Sequence, residues 1–256
     1  MAEILESSRQ GRLLRLALNR PEKRNALSAQ LCRELVQALE NAERDPQTGA
    51  ILLTGNGKDF CAGMDVSEVG ALANDEINSI HEQLFTIGAR LRKPLIGAIQ
   101  GAALGGGFGL VANCHIAIAR ESATFGLTEI RLGLWPFLVF RIVALGLGER
   151  RTLELSLSGR NFGAQEARDI GLVHEVAADL EKRAVEVATA ISESSPTALQ
   201  SGLTFVQEVR GRDWKTAGEI ARRMRDEVFA SADFAEGVRA FKEKRRPRWP
   251  SIDVQR

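Results

Sequence analysis

Three kinds of residue in this chain have types and spacing that can do chemistry. They are the glycine run Gly105, Gly106 and Gly107, the small-residue stretch Ala62, Gly63 and Met64, and the carboxylate of Glu129. The glycine run sits in GAALGGGFGL (residues 101–110), directly after an apolar stretch of strand length at 94–99. Inside a helix each glycine costs about 1 kcal/mol relative to alanine. Three together point to a helix start whose bare N–H groups can hold an anion or a developing oxyanion, with tight helix-to-sheet packing as the alternative. The second stretch, in GNGKDFCAGMD (residues 55–65), also follows a strand-like run, GAILLT. Two strand-to-helix loops that each present a backbone amide are what a two-donor oxyanion hole requires. Neither matches a dinucleotide fingerprint or a phosphate loop, because Leu110 stands where the last glycine would be and G-x-x-x-x-G-K-[ST] is absent.

The elements that must hold these loops follow from periodicity. Residues 3–7 and 13–18 read as two strands joined near Gln10-Gly11. Ser28 can cap a helix carrying Leu31, Leu35, Leu39 and Ala42 on one face and ending near Asp45-Pro46. Strands fit 49–54, 94–99 and 114–119, and a helix fits 75–91. Strands alternating with helices predict an α/β core with parallel pairing. Beyond residue 133 the pattern is mostly helical, over 134–148, 150–157, 180–192, 196–209, 214–230 and 233–243. In the last of these Asp233 and Glu236 are spaced like a capping pair, with Phe234, Val238 and Phe241 on one face. The reading divides the chain into a core at 1–195 and a helical region at 196–256.

Composition narrows the classes of partner. At 256 residues the chain can bury roughly three-quarters of its unfolded surface. With 44% hydrophobic residues and 34 Lys and Arg against 33 Asp and Glu, it reads as a globular protein with neither a nucleic acid nor a membrane as partner. Cys32, Cys61 and Cys114 form no C-x-x-C pair and read as reduced thiols. No secretory leader or apolar span is evident, so a cytoplasmic location is expected. His81, His115 and His174 match neither a metal spacing nor a Ser/His/Asp arrangement and read as structural, and no metal is expected.

Several motifs in order resemble the crotonase, or enoyl-CoA hydratase/isomerase, superfamily across nearly the whole chain. They are NRPEKRNALS (19–28), DFCAGMD (59–65), GAALGGGFGLVANCHIAIA (101–119), ATFGLTEIRLGLWP (123–136), SGRNFGAQEARDIGLVHEV (158–176) and FAEGVRAFKEKRRPRW (234–249). The resemblance implies an α/β fold, a spiral of repeated ββα units with a helical C-terminal trimerisation region, assembled as a homotrimer or a dimer of trimers. It implies acyl-CoA thioester substrates, with coenzyme A part of the substrate and no separate cofactor. By position it makes the amides of Met64 and Gly106 the donors to the thioester oxygen, each lowering the barrier by about 3 to 4 kcal/mol. Ala62, Gly63, Asp65, Gly105 and Gly107 flank them in the substrate site. Arg24 and Ala26 resemble the segment lining the coenzyme A site, a solvated loop being the alternative. Phe241 and Lys244, the latter in the basic cluster Lys242, Lys244, Arg245, Arg246 and Arg248, resemble the region that meets coenzyme A on a neighbouring subunit, although such clusters also occur as solvated tails. Trp135, like Phe137, shapes either the acyl pocket or ordinary core.

The resemblance has one departure. Family hydratases place one glutamate three residues beyond the middle glycine and a second in a segment resembling FGLTE. Here those positions are Gly109 and Glu129. Water addition shares its proton work between two acids, whereas moving a double bond from C3 to C2 needs one base and a held dienolate. The sequence therefore places an enoyl-CoA isomerase-like proton shuttle first, with Glu129 as its base. Hydratase comes second and a catalytically silent acyl-CoA binder third. Asp65, Glu68 and Glu121 are candidates, by loop position, to replace the missing acid.

Overall fold

In the computed structural model, residues 3–71 and 75–253 are described. The chain opens with an antiparallel pair, β1 (Leu5–Gln10) and β2 (Leu13–Leu18). β1 starts and ends later than expected, and its polar side chains lie exposed along the sheet edge. Ser28 caps α1 (Ala29–Arg44) by accepting from the Leu31 N–H, and Leu31, Leu35, Leu39 and Ala42 are buried as predicted. β3 (Ala50–Gly55) lies parallel to β2 and is buried throughout, consistent with its unbroken apolar reading. The helix expected over 75–91 divides into α2 (Asp75–Thr86) and a 3-10 turn at Ile87–Ala89.

The spiral then becomes visible. β4 (Leu95–Ile99) pairs parallel with β3, and β5 (Ala102–Leu104) leaves it for a second, smaller sheet before α3 (Gly106–Asn113). β6 (Ile116–Ala119) returns to the first sheet and β7 (Thr124–Gly126) to the second, where β8 (Phe162–Gly163) joins it; β9 (Glu175–Val176) completes the first. The resulting orders are β1-β2-β3-β4-β6-β9 and β5-β7-β8. Isolated parallel bridges from Leu27 to Met64 and from Cys61 to Ala103 extend the second layer. Each turn thus gives one strand to the large sheet, one short segment to the small layer, and then a helix.

A 3-10 turn at Glu129–Leu132 leads into α4 (Phe137–Leu147), α5 (Glu149–Ser158) and α6 (Ala164–Asp169). α7 (Leu180–Ser192) covers the outer face of the large sheet, where Leu180, Ala184 and Ala188 pack on Leu52, Ile96 and Ile118. The inner face packs on α1, α2 and α3 around Phe60, Phe108, Phe125 and Phe162. α8 (Pro196–Val209), α9 (Trp214–Phe229), α10 (Ala232–Glu243) and α11 (Pro250–Asp253) complete the helical end. The expected capping pair of α10 is corrected: Ser231 is the cap. Asp233 accepts from Ser195 and Ser251, and Glu236 accepts from Arg239, Arg245 and the Arg248 N–H. Both are buried ties to the chain ahead of α8 and after α10.

The three cysteines are free, and burial pushes each thiol up to about 12. Among the described residues no helix is long and apolar enough to cross a membrane.

Candidate active site

The two amide loops lie side by side. Gly63 takes φ +102°, a conformation that favours glycine, and a Cβ there would stand 2.8 Å from the Leu104 carbonyl and 3.5 Å from the Gly106 nitrogen. The Met64 loop can sit this close to α3 because Gly63 has no side chain. It is pinned on both sides: Leu27 N–H donates to the Gly63 carbonyl, and Asp65 N–H to the Leu27 carbonyl, each within 3.0 Å. Among the described residues the Met64 and Gly106 amides have no hydrogen-bond acceptor. Both residues line one cavity of about 250 Å³.

Each glycine of the run has its own reason. Gly105 turns the chain with φ +51° and leaves its open side to Glu129, whose Oε1 lies 3.2 Å from where a Cβ would be. Gly106 begins α3 with a bare amide, beneath Leu27 and Phe85. A Cβ on Gly107 would overlap the Cys61 carbonyl, so this glycine does serve the packing alternative. The run is both a donor site and a close contact.

Glu129 starts its 3-10 turn at the cavity wall. Its Oε2 is enclosed and has no hydrogen-bond partner among the described residues. Burial raises its pKa above the ordinary glutamate value. The surroundings are apolar, with Leu27, Phe85, Leu134, Trp135 and Val139 around the same cavity. Trp135 stacks on Phe140 with ring centroids 6.0 Å apart and still faces the cavity, so it serves the pocket and the packing together. Phe137, 73% exposed, stands at its rim. A half-buried carboxylate with one enclosed, unpartnered oxygen, in a mostly apolar pocket beside two free amides, can take a proton from carbon and return it.

Among the described residues no second carboxylate fills the place left by Gly109. A Cβ at Gly109 would overlap Val139 Cγ1 on α4 and come 3.0 Å from Phe85 Cδ1. The three proposed replacements are engaged elsewhere. Asp65 Oδ1 accepts from the Ser67 hydroxyl at 2.6 Å, and its Oδ2 accepts from Arg20 at 2.9 Å. These contacts, Ser67 first and then Arg20, hold its carboxyl below the ordinary range against the opposing effect of burial. Glu68 accepts from the Ala29 N–H at the start of α1. Glu121 is exposed in a separate surface hollow with Arg120 and Ser122.

The remaining expected residues divide between loop architecture and another face. Arg24 takes φ 53° and donates from Nε to Asp59 at 2.7 Å. Its carbonyl accepts from the Ala62 N–H, and the Ala26 carbonyl accepts from Arg20, so the early segment braces the Met64 loop. Phe241 and Lys244 lie on and just after α10 and do not line the Glu129 cavity. Phe241 is 85% exposed beside a separate groove with Val238 and Trp249.

Three participants escaped the sequence reading. His81 was expected to be structural, and His115 and His174 are: the Nδ1 of each accepts a backbone N–H, from Leu95 and Ala117 respectively. His81 instead lines the Glu129 cavity. Asn113, 4% exposed, fixes α2 to α3: its Nδ2 donates to the carbonyls of Phe85 and Gly109, and its Oδ1 accepts from the Gly88 N–H at 2.9 Å. Val139 closes position 109. Asn113 lies within the 101–119 motif but nothing in that motif singles it out, and His81 and Val139 lie outside the motifs; each acts through a contact distant in sequence. Among the described residues no group of three acidic, His or Cys side chains could hold a metal ion.

A ββα spiral with adjoining amide loops and one half-buried glutamate is the arrangement expected of a crotonase fold. Comparison with known proteins agrees: the sequence pattern of the enoyl-CoA hydratase/isomerase family matches residues 8–252, and the chain belongs to that family. It is 37% identical to mevalonyl-coenzyme A hydratase sidH of Aspergillus fumigatus, over 93% of this chain and 91% of that protein. It is 35% identical to enoyl-CoA hydratase EchA19 of Mycobacterium tuberculosis, over 93% of each. A crystal structure of enoyl-CoA hydratase from Bacillus anthracis superposes with a TM-score of 0.91 at 32% identity, covering 97% of this chain and 100% of that one.

Proposed function

We propose that this enzyme adds water to a 2-enoyl-CoA, or removes it from the 3-hydroxyacyl-CoA product, with Glu129 as its only acid–base. The names of its relatives support hydratase over isomerase, which reverses the order expected from the sequence. The observation that carries the proton role is the enclosed, unpartnered Oε2 of Glu129, whose carboxylate lies beside Gly105 and Gly106.

One carboxylate is enough if it works twice. Water oxygen bonds to C3 while Glu129 takes one of its protons. The C2–C3 π pair shifts toward the thioester, whose oxygen accepts from the Met64 and Gly106 amides at about 3 to 4 kcal/mol of barrier for each. Glu129 then delivers its proton to C2, and the product carries one added water. Its raised pKa suits a group that must hold a proton and then give it up. Phe241 and Lys244, exposed at the helical end, would meet the coenzyme A portion bound to a neighbouring subunit of a homotrimer.

Isomerisation is the second reading, favoured by the closure of position 109 by Val139. There Glu129 would take a proton from C2 of a 3-enoyl-CoA and return it at C4. Product mass after incubation with 2-enoyl-CoA and 3-enoyl-CoA separates the two. A gain of one water on the 2-enoyl substrate supports hydration. Conversion of the 3-enoyl to the 2-enoyl thioester without water uptake by either supports isomerisation instead.

A further inference from the structure

His81 differs from the other two histidines in that its ring makes no hydrogen bond among the described residues. It is 6% exposed on α2, with its ring 6.4 Å from that of Phe85. Its ring nitrogens have no hydrogen-bond partner among the described residues, yet they are not sealed from solvent. The cavity it lines is that of Glu129, Met64 and Gly106, and most of the wall is apolar. A water entering such a site needs two or more polar partners to be held. Glu129 supplies one.

Resting on the hydratase reading, we infer that His81 is a positioning residue that holds the attacking water for Glu129, the task for which position 109 has no side chain. Burial lowers the imidazole pKa against the opposing charge of Glu68 and favours the neutral ring, in which one nitrogen is an acceptor. The water gives one O–H to Glu129 and the other as a hydrogen bond to that nitrogen. As its oxygen bonds to C3, the first proton passes to Glu129 and on to C2, while His81 neither gains nor loses a proton. Asn113 serves this arrangement by fixing α2, which carries His81, to α3, which carries Gly106.

Two rates separate this role from a merely structural one. Water addition to a short 2-enoyl-CoA needs a held water; C2 proton exchange of the saturated acyl-CoA in heavy water needs only Glu129 and the amides. His81→Phe should lower water addition about a hundredfold, as misplacement of a reactant does, and leave exchange near the wild-type rate. His81→Gln, which restores an acceptor, should recover part of the loss. Equal loss of both rates, or no rescue by glutamine, overturns the inference. If His81→Phe does not fold, the same ratio is read on His81→Ala. A wild type that exchanges C2 protons but adds no water removes the hydratase reading itself, a result distinct from either outcome for His81.

Discussion

Val139 occupies the space that any side chain at position 109 would need. The two residues are 30 apart in sequence, on α3 and α4, and among the described residues Glu129 is the only carboxylate lining the cavity.

Gly109→Ala should therefore destabilise the protein by about 1 to 3 kcal/mol through overpacking, although alanine is the better helix former. Val139→Ala in the same chain should recover most of that loss. Chemical denaturation of the four proteins in this double-mutant cycle measures the coupling, and additive effects would place Val139 elsewhere.

Glu129→Gln should remove at least about 99% of turnover, the usual contribution of a positioned proton carrier. Its stability should move the other way. A half-buried carboxylate whose folded pKa is raised binds its proton more tightly in the folded state, so ionisation costs the wild type stability as pH rises through that pKa. The variant should gain on the wild type toward high pH, and the difference should shrink toward low pH, in melts taken from about pH 5 to 9.

Asp65 carries the opposite sign. Its folded pKa is depressed by Ser67 and Arg20, so its contribution is complete above the unfolded carboxylate pKa and is lost as pH falls below about 4. Asp65→Asn should cost about 1.5 to 3 kcal/mol at neutral pH and flatten that acid loss. Because the Arg20 contact braces the Met64 loop, kcat should fall in steady-state assays as well.

Asn113→Leu should leave the Gly88 N–H buried without an acceptor and cost about 1 to 3 kcal/mol. If the tie between α2 and α3 matters to the site, water addition should drop further than C2 exchange in the surviving folded fraction.

The sequence was most informative where structure is local. α1 and α7 were legible from their 3.6-residue periodicity, β3 from an unbroken apolar run, and the amide loops from glycines placed after strands. Glu129 was legible only through a motif, because nothing local distinguishes it from a solvated glutamate. What could not be read depends on distant contacts: Val139 against Gly109, His81 turned into the cavity, Asp65 and Glu68 already engaged. Asp233 and Glu236 show the same limit. Their spacing fits a cap, but Ser231 stands nearer the helix start, and both carboxylates were drawn to partners outside α10.

The most direct test of Glu129 as the only acid–base is the deuterium content at C2 of the 3-hydroxyacyl-CoA formed from a 2-enoyl-CoA in heavy water, by wild type and by Glu129→Gln. The account predicts one deuterium at C2 with the wild type and almost no product with the variant. Undiminished product from Glu129→Gln, labelled to the same extent, would mean that another group moves the proton.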